Sequence, residues 1–175
     1  MSMFLDITGI LGESESPNSN WNQKIEITNM GYQVHQDSTS HTGSGLVPSM
    51  AKFYPMEITK SMDKSTPILW GKLAGGEPIP TVVVRVSRPG GTGTGPQGGL
   101  FEAETYTMSN VIIQSYSTSG KLGAGGLPTE RWMFSFTAIT EVFNSVDSAG
   151  NLQPVQQAGY NIAGGAAMNV GHPRA

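Results

Sequence analysis

No run of apolar residues in this chain exceeds three; Val82-Val83-Val84 and Val111-Ile112-Ile113 are examples. Where apolar residues recur, they do so at every second position, as in Trp132, Phe134, Phe136 and Ala138. A period of two sends successive side chains to opposite faces of an extended strand, one for a core and one for solvent. The pattern demands sheets, and no segment approaches the roughly twenty apolar residues of a membrane-spanning helix. The expected fold is mainly β: a β-barrel or sandwich of two antiparallel sheets with one short α-helix, at about residues 66–74.

The strands follow from the alternation. Met3–Ile10 opens the chain. Ile25 and Ile27 keep one phase; Met30, Tyr32 and Val34 keep the other. A one-residue slip turns the apolar set to the opposite face, so a bulge or sharp bend is expected near Asn29. Gln36–Ser49 reads as a polar loop rich in Gly and Ser. Met50–Lys60 carries Tyr54, Met56 and Ile58 on one face, with Pro55 inside, which predicts an edge or bulged strand. Thr81–Arg88, Phe101–Met108, Val111–Thr118 and Thr129–Phe143 are further strands, and Leu152–Ile162 adds one more. The helix is signalled by Ser65 as N-cap, Pro67 in the first turn, Lys72 in the last and Gly75-Gly76 as the stop. Ile68, Leu69 and Leu73 supply its apolar face. Residues 1–162 are expected to form a single domain, and 163–175 a flexible tail with little to bury.

Glycine, at 23 residues, equals all the charged residues together, 10 Lys and Arg with 13 Asp and Glu. So sparse a charge predicts burial against partners. A net charge of −3 with scattered cations excludes a phosphate-binding surface, so no nucleic acid is expected. Nor is membrane insertion. Met1–Asp6 lacks the cationic start and apolar stretch of a secretory signal. Cysteine is absent, which removes disulfides, thiolate metal sites and thiol nucleophiles.

Candidate chemistry is thin. Gly93-Thr94-Gly95-Pro96-Gln97-Gly98 has the dinucleotide-binding spacing, but that site needs a helix to follow, and here a strand follows from Leu100 to Tyr106. A hairpin loop is the expected reading. His35, His41 and His172 lack the close spacing of metal ligands and read as solvated loop residues; no metal and no other cofactor is expected. Asp63 beside Ser61 and Ser65 reads as helix-start capping chemistry, not a catalytic triad. Glu102 and Glu104, two apart in a strand, should share a face as a solvated pair rather than act as glycosidase carboxylates. Trp21, in a polar stretch, is a candidate for binding sugar or a partner, or for packing at a subunit interface. The chain is expected not to be an enzyme.

Taken in order, several segments resemble the haemolysin-coregulated protein (Hcp) family, the tube subunit of the bacterial type VI secretion system. They are Ile10-Leu11-Gly12-Glu13-Ser14 after the opening strand, Ile25-Glu26-Ile27, and the run Thr59-Lys60-Ser61-Met62-Asp63-Lys64-Ser65-Thr66-Pro67-Ile68-Leu69. Pro78–Val84, Tyr106–Gly120, Pro128-Thr129-Glu130 and Gly159-Tyr160-Asn161-Ile162 complete the set. The likeness spans Met3 to Ile162. It departs at Glu15–Trp21, where the family often carries a charged, His-containing stretch, and at Pro89–Gly99, which is longer and richer in glycine.

The resemblance implies a structural subunit: hexameric rings that stack into a hollow inner tube, exported with it, with small effectors carried in the lumen. It implies partners in further copies of itself and in spike, sheath and baseplate components. It also implies residence in the bacterial cytoplasm before assembly and secretion without a signal peptide. By position, the family's ring-stacking loop is Gln36–Ser49, with Ser38, His41, Gly43, Gly45, Leu46 and Pro48; Asp63, Ser65 and Pro67 mark the helix start. The alternative is a secreted effector or a carbohydrate-binding β-sandwich, which would need an added domain or an exposed aromatic platform.

Overall fold

The change of phase between Ile27 and Met30 is the point at which the chain crosses from one sheet to another. The computed structural model describes residues 1–16, 21–41, 45–89, 100–120, 126–147, 151 and 153–168. In chain order these form β1 (Ser2–Ile7), β2 (Ile25–Ile27), β3 (Asn29–Gly31), β4 (Val34–His35), β5 (Ser38–His41), β6 (Gly45–Pro48), β7 (Lys52–Phe53), β8 (Met56–Ser61), α1 (Thr66–Gly75), β9 (Ile79–Pro89), β10 (Leu100–Ser119), β11 (Thr129–Ser135), β12 (Ala138–Phe143), β13 (Gln156–Asn161) and β14 (Ala166–Ala167). One sheet runs β2-β1-β9-β10-β12-β13-β14 and the other β10-β11-β8-β3, all antiparallel. The Thr28 amide donates to the Thr59 carbonyl at 2.8 Å, pinning the crossing from β2 to β3.

The opposite corner is made by one long hairpin that folds over. β10 runs unbroken for 20 residues, where the sequence predicts separate strands over Phe101–Met108 and Val111–Thr118. Its first half pairs with β9 and β12, its second with β11. The bend falls at Asn110, whose φ of 48° is left-handed, a conformation asparagine tolerates better than most residues. Its partner bends at the same level. Thr129–Phe143, expected as one strand, divides into β11 and β12 at Phe136-Thr137, where the Thr137 amide and hydroxyl both donate to the Ser109 carbonyl, at 3.0 and 3.2 Å.

Met50–Lys60 also divides. Pro55 has no amide to give, and the pairing stops there, leaving Tyr54 exposed between β7 and β8. β8 lies between β11 and β3, so it is an interior strand rather than an edge, and Met56 and Ile58 are fully buried. Gln36–Ser49 is not an irregular loop: β5 and β6 pair from Ser38↔Pro48 to His41↔Gly45. A two-stranded ribbon needs no apolar alternation, which is why its polar sequence conceals it. Below it β4 pairs with β7.

The core lies between the sheets. Leu5, Ile25, Val82, Val84 and Met108 from one meet Met56, Ile58, Trp132 and Phe134 from the other. Each such side chain contributes about 1.5–3 kcal/mol on burial. The helix adds Leu69, fully buried, and Leu73, half-buried; Ile68, expected on the same face, is exposed because neighbouring helical residues point about 100° apart. Ser65 holds the N-cap position, but its hydroxyl donates to Asp63 Oδ1 at 2.5 Å and caps no helix amide. Gly76, at φ 63°, ends the helix, its amide donating to the Leu73 carbonyl. At the far end Ala166–Ala167, in the stretch expected to be loose, pair with β13.

Candidate functional site

The groups that the sequence nominates for chemistry do not converge. His35 is exposed, and its Nε2 lies 2.8 Å from Asp37 Oδ1. Asp37 also takes the Lys52 ammonium at 2.9 Å; this bond first, and His35 second, hold its carboxyl below the usual range. Among the described residues no group of three or more His, Asp or Glu is placed to hold a metal. The Gly93–Gly98 motif, Gly43 and His172 lie outside the described residues.

Two expectations are corrected. Glu102 and Glu104 do not share a face. A bulge between them, where Glu102 faces Ser87 and Glu104 faces Val86, inverts the alternation. Glu102 accepts from Arg85 Nη1 at 2.9 and 3.0 Å and from the Thr105 hydroxyl on one face. Glu104 accepts from the Tyr106 hydroxyl at 2.8 Å on the other. Trp21 is no surface platform. It is 2% exposed and stacks on Phe4, with ring centroids 5.8 Å apart and 11° between planes.

Instead, the helix-start residues meet the opening of β11 in a buried polar cluster. Lys60 Nζ lies 2.7 Å from Asp63 Oδ1 and 2.9 Å from Glu130 Oε2, and it donates to Thr66 Oγ1 and the Ser61 carbonyl, both at 3.1 Å. Thr66 Oγ1 and Trp132 Nε1 donate to Glu130 Oε2, at 2.9 and 3.2 Å; the Tyr116 hydroxyl donates to Oε1 at 3.1 Å. Asp63 Oδ1 also accepts the Ser65 amide at 2.9 Å, and Pro67 follows in the first turn. Every carboxylate here is bound to a cation and to fixed donors, and the cluster clamps the helix to the barrel. Sequence reasoning reaches Asp63, Ser65 and Pro67 but misses Lys60, Thr66 and Glu130. The signal is available: Lys60 continues the buried phase of Met56 and Ile58, and Glu130 that of Trp132 and Phe134.

The ribbon β4–β7 and the hairpin β5–β6 stand as two separate two-stranded sheets, outside both barrel sheets. Val34, Met50 and Tyr54, along this segment, are exposed apolar residues. Ser38 begins the hairpin; Gln36 Nε2 donates to the Ser49 carbonyl at 2.5 Å, and the Ser49 amide to the Asp37 carbonyl at 2.9 Å, closing its base.

A two-sheet barrel clamped to one helix, bearing a self-paired ribbon, is the context for the family comparison. The family model described as "Type VI secretion system effector, Hcp" matches residues 4–143. The chain belongs to the Hcp family. That places it among the tube and effector proteins of type VI secretion, a structural family rather than a known family of enzymes. Solved structures share the Hcp fold. "Structure of a type six secretion system protein" superposes with a TM-score of 0.84 at 20% identity, over 95% of this chain and 99% of that one. Hcp1 from Salmonella typhimurium gives 0.73 at 23% identity, over 95% and 98%. A type VI secretion system effector from Yersinia pestis gives 0.68 at 23%, over 91% and 98%. No curated protein matches the sequence. Among the described residues no helix of this Hcp is long and apolar enough to cross a membrane.

Proposed function

We propose that this Hcp is the building block of a type VI secretion inner tube, assembling hexameric rings that stack, leave the cell with the tube and carry small effectors in the lumen. The observation that carries this reading is the β5–β6 hairpin, a sheet of its own outside the barrel. A lone two-stranded hairpin is at best marginally stable in water. In the proposed tube its partner is a surface of a neighbouring ring, met by the segment holding Ser38, His41, Gly43, Gly45, Leu46 and Pro48. Fixing those residues costs about 1–2 kcal/mol each in backbone entropy. Each contact is then weak, and sixfold repetition supplies the strength. Contacts between unlike patches close a ring by rotation and extend it into a filament by stacking.

The same reading places the subunit in the bacterial cytoplasm before assembly, with spike, sheath and baseplate components as further partners. Native mass measurement across a range of protein concentrations tests it. The expected species is a hexamer; a monomer at every concentration overturns the proposal.

A further inference from the structure

A groove of about 270 Å³ lies between the β12–β13 hairpin and the base of the ribbon. Its walls are aromatic and apolar. Phe53 and Tyr160 stack on one side, with centroids 4.8 Å apart and 23° between planes. Tyr32 stands on the other, edge-on to Tyr106 at 6.1 Å. Ile139 closes part of the floor, and Glu141 is the one charged residue in the lining.

Glu141 is not isolated. It faces Tyr106 across the β10–β12 ladder, and Glu104, two residues along on the same face, accepts the Tyr106 hydroxyl. Glu104, paired with Phe143, lies diagonally across the ladder from Glu141, paired with Tyr106. Every titratable group in this cluster is an acid: two carboxyls and the phenols of Tyr32 and Tyr106. Four other glutamates pair with cations: Glu57 with Arg131, Glu77 with Lys72, Glu102 with Arg85 and Glu130 with Lys60. Among the described residues no lysine, arginine or histidine forms an ion pair with Glu104 or Glu141. The bulge that separates Glu104 from Glu102 also separates it from Arg85.

A carboxylate without an ion-pair partner in the lining of an aromatic groove has a specific complement. The faces of Tyr and Phe rings attract cations, and apolar walls favour an alkyl stem. A hydrated metal ion gains nothing from such walls. The volume is below the roughly 300–1,000 Å³ of sites for drug-sized ligands, room for one short chain.

We propose that the groove binds an organic cation, an alkylammonium or alkylguanidinium group, with its charge at Glu141 and its stem against Tyr32, Phe53 and Tyr160. The cation comes either as a free amine or as the side chain of a lysine or arginine in another polypeptide. The site does not depend on tube assembly.

Ligand-observed saturation-transfer NMR on the intact protein, which works at any assembly size, tests this with n-butylammonium, n-pentanol as its neutral isostere, and a short peptide carrying one lysine. The expected result is millimolar binding of n-butylammonium and about tenfold weaker binding of n-pentanol. Glu141→Gln should weaken n-butylammonium about tenfold, while Glu57→Gln, on the other sheet, serves as a control with full binding. A lysine peptide that binds about tenfold better than n-butylammonium assigns the cation to a polypeptide; equal affinity assigns it to a free amine. Equal binding of n-butylammonium and n-pentanol, no effect of Glu141→Gln, or no binding of either cation overturns the proposal.

Discussion

Lys60 and Glu130 meet at 2.9 Å with neither side chain exposed to solvent. Removing two charges from water costs several kcal/mol per ion, and their attraction offsets this only when the remaining polar atoms are satisfied. Here they are: Thr66, Trp132 and Tyr116 donate to Glu130, and Asp63, Thr66 and the Ser61 carbonyl accept from Lys60. The cluster ties β8, the start of α1, β10 and β11 into one unit. The motif around Thr59–Leu69 and the Pro128-Thr129-Glu130 motif are therefore two halves of a single structural device.

Breaking that pair from either side leaves a buried charge without its partner. Lys60→Met and Glu130→Gln should each destabilise the fold by about 3–5 kcal/mol. The double variant should cost clearly less than the sum, because the second change removes the charge stranded by the first. Urea denaturation at one fixed protein concentration measures all three. Strict additivity would mean that the two residues act independently.

Two glycines should respond to alanine in opposite directions. The Gly12 amide donates to the Gln23 carbonyl at 2.8 Å, and a Cβ at Gly12 would overlap the Lys24 carbonyl and the Ile25 backbone. Gly12→Ala must push two backbone segments apart, at about 1–3 kcal/mol. Gly71 lies in α1 with nothing near the position of a Cβ. Gly71→Ala should stabilise by about 0.5–1 kcal/mol through helix propensity. Denaturation midpoints separate the two; a neutral Gly12→Ala would show that this approach is not tight.

The strands are legible where apolar residues alternate within one sheet, as in β9, and the helix where Pro67 and Gly76 punctuate it. The slip before Met30 is legible as a bend because a change of face leaves a mark in the pattern. The alternation continues through the corner at Phe136-Thr137, so β11 and β12 read as one strand, whereas the polar Ser109-Asn110 inside β10 reads as a break between two. The β5–β6 pairing is invisible because a ribbon outside the barrel needs no apolar phase. The bulge at Ala103 is hidden for a related reason: Glu102 and Glu104 look equivalent until the register with β9 separates them. Lys60 and Glu130 are legible in principle, since both fall on the buried phase of their strands, where a charge requires an opposite one.

The acidic cluster fixes the sign of two pH responses. Burial first, and the nearby Glu141 charge second, push the Tyr32 phenol up to about 12 from an ordinary value of 10.0. Burial, then the hydrogen bond to Glu104, pushes Tyr106 up as well. A raised phenol pKa stabilises the fold fully below the ordinary value and loses that contribution as pH rises through the raised one. Tyrosinate absorbance should therefore show these two residues titrating late, near alkaline unfolding. Glu141 is raised by burial and then by Glu104, so its contribution is present in acid and lost as pH rises through its folded pKa. Glu141→Gln should raise the melting temperature near neutral pH, with the gain vanishing in acid. A gain of equal size at both pH values would point to packing instead.

Shortening the hairpin separates ring formation from stacking. Deleting Gly43–Leu46 removes Gly45 and Leu46, the β6 partners of His41 and Ser40, and leaves the Ser38↔Pro48 pair and the base held by Asp37 and Ser49. The barrel sheets do not include these residues, so the fold and its melting temperature should be nearly unchanged. If the hairpin docks on the next ring, native mass measurement should still find hexamers, while electron micrographs should show far fewer filaments. Because the contact repeats around the ring, even a modest loss per subunit multiplies into a large loss of stacking. Disappearance of the hexamer itself would place the hairpin at the contact within a ring, and unchanged filaments would remove it from assembly altogether.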